Sequence, residues 1–272
     1  MVSWPEAVQR VDSGTPDDLD LQPKSRFHIR RGAPVIITGN SGAGKTEIWS
    51  RLTDSTATHR MSLSTDDGYM IRRNQHAHSI TTIPGQYSKE RDYAMSLMFG
   101  EETRLAGVIF VASFGYDFIW NYSEQAASEM DPYDIDQLRK RNKRRELSNF
   151  EEICMQIDRK RVLAPAEFCP KWLLVIANKA DLYWDERDDA RNYYKLGGDS
   201  DFALRAKRFQ AEVGVGRHSP MEYKLLPLAT KPAPFAFHST EGSLQAPTKL
   251  TDAQCNASLR CLVDTLGELW HE

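Results

Sequence analysis

Gly39-Asn-Ser-Gly-Ala-Gly-Lys45-Thr46 satisfies every fixed position of G-x-x-x-x-G-K-[ST], the spacing of a phosphate-cradling loop. Small residues let successive backbone N–H groups turn inward around an anion, and a helix starting after the glycines adds its dipole. Lys45 is then the residue for the β- and γ-phosphates, and the Thr46 hydroxyl the one for Mg²⁺. The chemistry implied is binding of a nucleoside triphosphate, with no choice of base. A second constellation bears on the base. Asn178-Lys-Ala-Asp181 matches N-K-x-D. A carboxylate at Asp181 accepts from guanine N1–H and the exocyclic amine, whereas adenine leaves it unpaired in a partly buried site.

Both motifs need strands ahead of them, and the sequence supplies these. Ala33-Pro-Val-Ile-Ile-Thr38 reads as a buried strand before the glycine loop, and Trp172-Leu-Leu-Val-Ile-Ala177 as another before Asn178. Ligand-binding residues belong at the carboxyl ends of such parallel strands. Behind the first loop, Ile48, Trp49 and Leu52 share one face of a helix over 46–53. Gly68–Arg72 and His76–Ile83 read as an antiparallel pair turning at Arg73-Asn-Gln75. Further strands are expected at 106–112 and 223–229, with a short one from Phe27 to Arg30. Thr251-Asp-Ala-Gln254 has the capping-box pattern and opens an amphipathic helix carrying Leu259, Leu262, Val263, Leu266, Leu269 and Trp270. Strands alternating with helices point to an α/β fold.

The 272 residues carry 35 Lys+Arg against 38 Asp+Glu, a formal charge of −3 that excludes a globally basic nucleic-acid surface. No apolar run is long enough to span a bilayer, and the N-terminus lacks the basic start and apolar core of a secretion signal. Cys154, Cys169, Cys255 and Cys261 show no metal or disulfide spacing, which suits a reducing, cytoplasmic compartment. Residues 1–26 are rich in acidic and turn residues and read as an N-terminal arm of loop or partial disorder.

The motifs, in their order, resemble those of Ras-like small GTPases within the translation-factor class of P-loop proteins, over about 33–112 and 172–272. Besides GNSGAGKT and NKAD, Ser64-Thr-Asp-Asp-Gly-Tyr69 is similar to the family's first switch, Thr82-Ile-Pro-Gly-Gln86 to D-x-x-G-Q of the second, and Ala229-Thr-Lys231 to the S-A-K turn. The resemblance implies GTP and GDP as ligands with Mg²⁺. It assigns Gly39, Asn40, Ser41, Gly42, Ala43, Gly44, Lys45 and Thr46 to the phosphates, with Glu47 behind them. It assigns Asn178, Lys179 and Asp181, with Thr230 and Lys231, to the base. Ser64 or Thr65 would close on the metal, the Gly85 N–H would sense the γ-phosphate, and Gln86 would orient the attacking water. The fold implied is a P-loop NTPase: a six-stranded, mostly parallel sheet with one antiparallel edge strand, helices on both faces, and residues 27–272 in one domain. The activity implied is a slow, regulatory GTP hydrolysis acting through a protein partner, the switches lying near 58–70 and 82–100. Non-hydrolysing guanine-nucleotide binding and an ATP-using P-loop enzyme are the alternatives.

Several features depart from this pattern. Thr82 stands where the family has a magnesium-holding Asp, with Asp66 or Asp67 as substitutes, and Ser41 where it often has Gly. An insert at 113–171 and an extended segment at 185–222 exceed a compact member, and are where a partner is expected. In the insert, Phe114, Tyr116, Phe118, Trp120 and Tyr122 alternate, as a partner-binding surface or an extended strand packing on its own core. Arg139-Lys-Arg-Asn-Lys-Arg-Arg145 could contact nucleic acid, acidic lipid or an acidic partner. A solvated helix turn balanced by Asp131, Asp134, Asp136, Glu146, Glu151 and Glu152 is the favoured reading. His76 and His78 read as surface residues, since two histidines with no third ligand are not a metal site.

Overall fold

Gly107–Ala112 and Trp172–Ala177 are buried at every residue, which a strand achieves only when both faces of its sheet are covered. The computed structural model describes residues 2–14, 30–53, 66–71, 76–117, 134–214, 220–239 and 242–270. Those two runs, β4 (Gly107–Ala112) and β5 (Trp172–Ala177), lie between β1 (Arg30–Gly39) and β6 (Glu222–Pro227). With β3 (His76–Thr82) they make five parallel strands in the order β3-β1-β4-β5-β6. β2 (Asp66–Ile71) pairs antiparallel with β3 at the edge. A separate antiparallel ribbon joins β7 (Phe235–Ser239) to β8 (Gly242–Ala246), which periodicity gave no hint of.

The period of two along each strand sorts the core into two layers. Val108, Phe110, Leu173 and Val175 face one layer with Phe150, Ile153 and Ile157 of α4 (Ile135–Leu163). Phe110 packs edge-on against Phe150 at 5.1 Å between ring centroids, and Phe150 stacks on Phe202 at 4.2 Å. The other layer joins Ile109, Val111, Leu174 and Ile176 to Ile48 and Trp49 of α2 (Lys45–Thr53) and to Leu259, Leu262 and Leu266 of α7 (Asp252–Leu269). The Thr251–Gln254 capping box forms: the Thr251 hydroxyl accepts from Gln254 N, and Thr251 N donates to Gln254 Oε1 at 2.9 Å. The remaining helices are α3 (Lys89–Met98), α5 (Arg187–Tyr194) and α6 (Asp201–Val213).

The N-terminal arm needs correction. Residues 4–13 form a helix, α1 (Trp4–Ser13), started by the Ser3 side chain and Pro5 and stopped by Gly14 at φ +56°. Its apolar face, Trp4, Ala7 and Val11, is buried; the acidic residues that follow mask this short pattern in the sequence. Arg10 bonds Asp264 at 2.7 Å, seating α1 against α7. The expected strand at 27–29, the turn at 73–75 and the aromatics at 118–122 lie outside the described residues. Among the described residues, no helix is long and apolar enough to cross a membrane.

Candidate functional site

β1 ends in the glycine loop, and the loop's backbone requires glycine at defined points. Gly39 has φ +134°, and a Cβ there would collide with the Val111 carbonyl. Gly42 and Gly44 hold φ +73° and +97°. α2 then begins at Lys45, so its unpaired N–H groups open toward the loop. Lys45 is buried, and its Nζ donates to Gly39 O at 2.9 Å and Asn40 O at 2.7 Å. Burial pulls this amine down to about 7; the Arg91 cation adds to the fall and Asp117 opposes it. A cation so poorly solvated, at the start of a helix, is chemically suited to an anion.

The loop beyond β5 closes on the same place. Asn178 Nδ2 donates to Ala43 O at 2.7 Å, and Gly44 makes room for it, since a Cβ there would collide with that amide. Lys179 takes the left-handed conformation at φ +58°, and its Nζ donates to Tyr116 O at 2.6 Å. Asp181 sits in the following 3₁₀ turn, 3% exposed. Its Oδ2 accepts from Ala233 N at 3.2 Å. Burial pushes its carboxyl upward, opposed by the Ala233 amide and the Thr248 hydroxyl. Ala180 N donates to Leu228 O at 2.9 Å, which brings the Asp181 turn beside Thr230. Lys231 Nζ lies 3.6 Å from Glu47 Oε2, linking that turn back to α2.

At the other end of the loop, Gly85 lies directly against it: a Cβ there would collide with Lys45 Nζ and Ser41 N. Gln86 follows, half-buried. Thr82 is buried at the end of β3, in register with Ile37 of β1 and with Asp66 of β2. Thr46 is exposed in the first turn of α2. Ser64 and Thr65 lie outside the described residues. The structure thus brings together 39–47, 85–86, 178–181 and 230–231, from four separate stretches of chain.

The Asn40 side chain turns away from the loop's mouth into the protein. Its Nδ2 donates to Asp117 Oδ2 at 2.5 Å and its Oδ1 accepts from Asn149 Nδ2, so the backbone is what it offers an anion. Around it lies a buried network that the sequence motifs do not include. Ser113 Oγ donates to Asp117 Oδ1. Glu146 Oε1 accepts from Ser113 N at 2.9 Å and Gly115 N at 3.0 Å, and Glu146 Oε2 from Tyr194 OH at 2.6 Å. Burial raises both carboxyls, Glu146 to about 7. These partners stand 31 to 48 residues from Glu146, a separation no local pattern records.

Two expectations about the insert are corrected by its packing. Phe114 and Tyr116 lie in a turn after β4, not a strand, with Phe114 at φ +52° and both rings buried. The basic run is helical, in α4, with Lys140 and Arg144 exposed and Asp136 3.9 Å from Arg139, but Arg139 itself is not solvated. Arg139 is buried over the Phe114 and Tyr116 rings, 4.9 and 4.8 Å from their centroids, and pairs with Glu186 at 2.8 Å. Of the acids expected to balance the run, Glu146 and Glu152 serve elsewhere: Glu146 in the network above, Glu152 on Arg91. The side chains of His76 and His78 lie outside the described residues, and among those described no cluster of His, Cys, Asp or Glu could hold a metal.

No protein-family model matches this chain, and no curated protein does. Among solved structures, the chain is similar to the FeoB G-domain from Methanococcus jannaschii at 14% identity. The match covers 90% of this chain and 100% of that one, with a TM-score of 0.44. A likeness of that size bears no weight for function.

Proposed function

We propose that this chain binds GTP with Mg²⁺ and hydrolyses it slowly to GDP and phosphate, as a regulatory switch acting on a protein partner. The observation that carries this reading is the bond from Asn178 Nδ2 to Ala43 O at 2.7 Å. It ties the loop after β5 to the glycine loop after β1, at the carboxyl ends of both strands, where α/β sheets hold ligands, and so supports reading the two as base and phosphate contacts of one nucleotide.

In this reading the inward N–H groups of 40–45 and the Lys45 ammonium hold the β- and γ-phosphates. Asp181 takes guanine N1–H and the exocyclic amine, exchanging its contact with Ala233, while the Thr230 N–H meets the base oxygen. The Gly85 N–H meets the γ-phosphate, which its contact with Lys45 and Ser41 favours. Gln86 orients a water that attacks the γ-phosphorus as the bond to the β-bridging oxygen breaks. The Thr46 hydroxyl suits magnesium, which prefers phosphate oxygens and water with few protein ligands; Thr46, with Ser64 or Thr65 of the first switch, would be the protein's share. When bound, the ion would neutralise charge on the phosphates. The exposed Tyr93 and Leu97 of α3, at 72% and 54%, belong to the second switch region and are proposed to meet the partner, which the segments 113–171 and 185–222 are also expected to contact.

Displacement of a labelled guanine nucleotide by GTP and ATP tests the base. Equal displacement would overturn the role of Asp181. Single-turnover phosphate release from wild type and Gln86→Ala tests turnover. The uncharged Thr82 favours a second reading, a binding module without hydrolysis, and release at background in both proteins would select it.

A further inference from the structure

One buried cation beside the glycine loop has donors to spare. Arg91, on α3, is 2% exposed. Its Nη2 donates to Asn149 Oδ1 at 2.8 Å and to Glu152 Oε2 at 2.7 Å, and its guanidinium lies 4.5 Å over the Tyr87 ring. Nε and Nη1 are buried with no hydrogen-bond partner. A guanidinium carries five N–H donors, so three are left unpaired in the interior, where such groups are costly.

Its position is as telling as its surplus. Asn149, which accepts from Arg91, donates to the side chain of Asn40, and the Asn40 carbonyl accepts from Lys45 Nζ at 2.7 Å. Arg91 is therefore one side chain, Asn149, removed from the phosphate loop. Gly85, at the head of the same segment, touches Lys45 Nζ and Ser41 N. The Arg91 charge reaches Lys45, whose affinity for its proton it lowers. Lys45 and Arg91 are thus two buried cations close enough to repel each other, and the acid near Lys45, Asp117, is already engaged by Asn40 and Ser113. Glu152 answers one edge of Arg91 and leaves the other open. A polyanion in the cradle would satisfy both cations, and the planar fork of arginine suits phosphoryl oxygens.

We propose that Arg91 is a γ-phosphate ligand supplied by the chain itself, its open guanidinium edge meeting the terminal phosphoryl group and biasing the site toward the triphosphate over the diphosphate. This rests on the nucleotide reading above and adds to it a residue that none of its motifs contains. The competing role is structural, with Arg91 serving only to fasten α3 onto α4 through Asn149 and Glu152.

The ratio of affinities for a non-hydrolysable GTP analogue and for GDP separates the two roles. It is measured by equilibrium titration of fluorescent forms of each nucleotide, with Mg²⁺, on wild type, Arg91→Ala and Arg91→Lys. The expected result is a loss of about tenfold or more for the triphosphate analogue in Arg91→Ala, the scale of one charge-assisted contact. GDP affinity should stay within about twofold, and the lysine variant, which keeps charge and one donor group, should fall between. An unchanged ratio in both variants overturns the proposal, whether the two affinities hold or fall together. Should Arg91→Ala not fold, the lysine variant decides alone by the same ratio. A wild-type chain that binds neither nucleotide overturns the site reading itself. A wild type that binds GDP, with an unchanged ratio in the variants, overturns only the role of Arg91.

Discussion

The Asn178 side-chain amide donates to the Ala43 carbonyl while its own Oδ1 stays buried with no hydrogen-bond partner. A residue that leaves one polar atom unsatisfied to make this bond is holding two loops at a set distance. Asn178→Ala removes the donor and strands the Ala43 carbonyl, at a cost of about 1–3 kcal/mol. Because the bond acts on the loop as a whole, affinities for GDP and GTP should fall together, by roughly tenfold or more. Nucleotide titrations alongside urea unfolding check this. A loss confined to one nucleotide would assign Asn178 a different role.

Asp181 is held by the Ala233 amide at 3.2 Å, so its replacement separates base reading from loop closure. Asn keeps an acceptor for Ala233 but cannot take both guanine donors on one carboxylate. Asp181→Asn should lower the GTP-to-ATP affinity ratio at least about tenfold through loss on the GTP side, with stability within about 1 kcal/mol of wild type. Asp181→Ala should also lose stability, because the Ala233 N–H is then unpaired. Competition binding and thermal melts read the two effects apart.

Legibility in the sequence tracked the range of the interactions. The capping box at Thr251–Gln254, the buried runs of β4 and β5 and the strained glycines at 39, 42 and 44 are local features, set by neighbouring residues, and each could be read from a short window. The Arg91–Asn149 bond spans 58 residues and the Asn149–Asn40 bond 109, so nothing near any of these residues marks them. The basic run misled for a related reason. Arg139 is neutralised by Glu186 and covered by Phe114 and Tyr116, partners that α4 reaches only once folded against β4 and α5. The partners of the Asn40 side chain, Asp117 and Asn149, were not legible because the motif constrains backbone, not the direction of that amide.

Lys45 links nucleotide binding to pH. Without an anion its amine sits near 7, below the ordinary 10.5, because burial disfavours the charge. The unfolded chain therefore holds more protons between about 7 and 10.5, and this residue's contribution to the stability of the ligand-free fold rises with pH across that window. Phosphates favour the charged amine, so binding above pH 7 must take up a proton. Affinity should fall by up to about tenfold per pH unit above 7. Calorimetry at pH 8 in two buffers of different ionisation enthalpy should give uptake approaching one proton, and Lys45→Met should abolish it. An uptake near zero in wild type would mean that Lys45 is already charged in the empty loop.

Glu146 gives the opposite slope in a lower window. Burial, with the Asp117 charge second, lifts its carboxyl from 4.5 to about 7. The folded state then holds the extra proton between those values. Its contribution is present below 4.5 and is lost as the pH rises through about 7, and Asp117 shifts in the same direction. Glu146→Gln, which cannot ionise, should flatten the fall in urea midpoint across pH 4.5–7 relative to wild type. Tyr194→Phe probes the same site from the other side. The hydroxyl both donates to Glu146 Oε2 and accepts from Phe114 N at 2.8 Å, so its removal leaves a buried oxygen and a buried N–H unpaired. That should cost about 1–3 kcal/mol, and more above pH 7, where Glu146 is ionised and needs its donors most. Equal costs at pH 5 and pH 8 would place the titration outside this range.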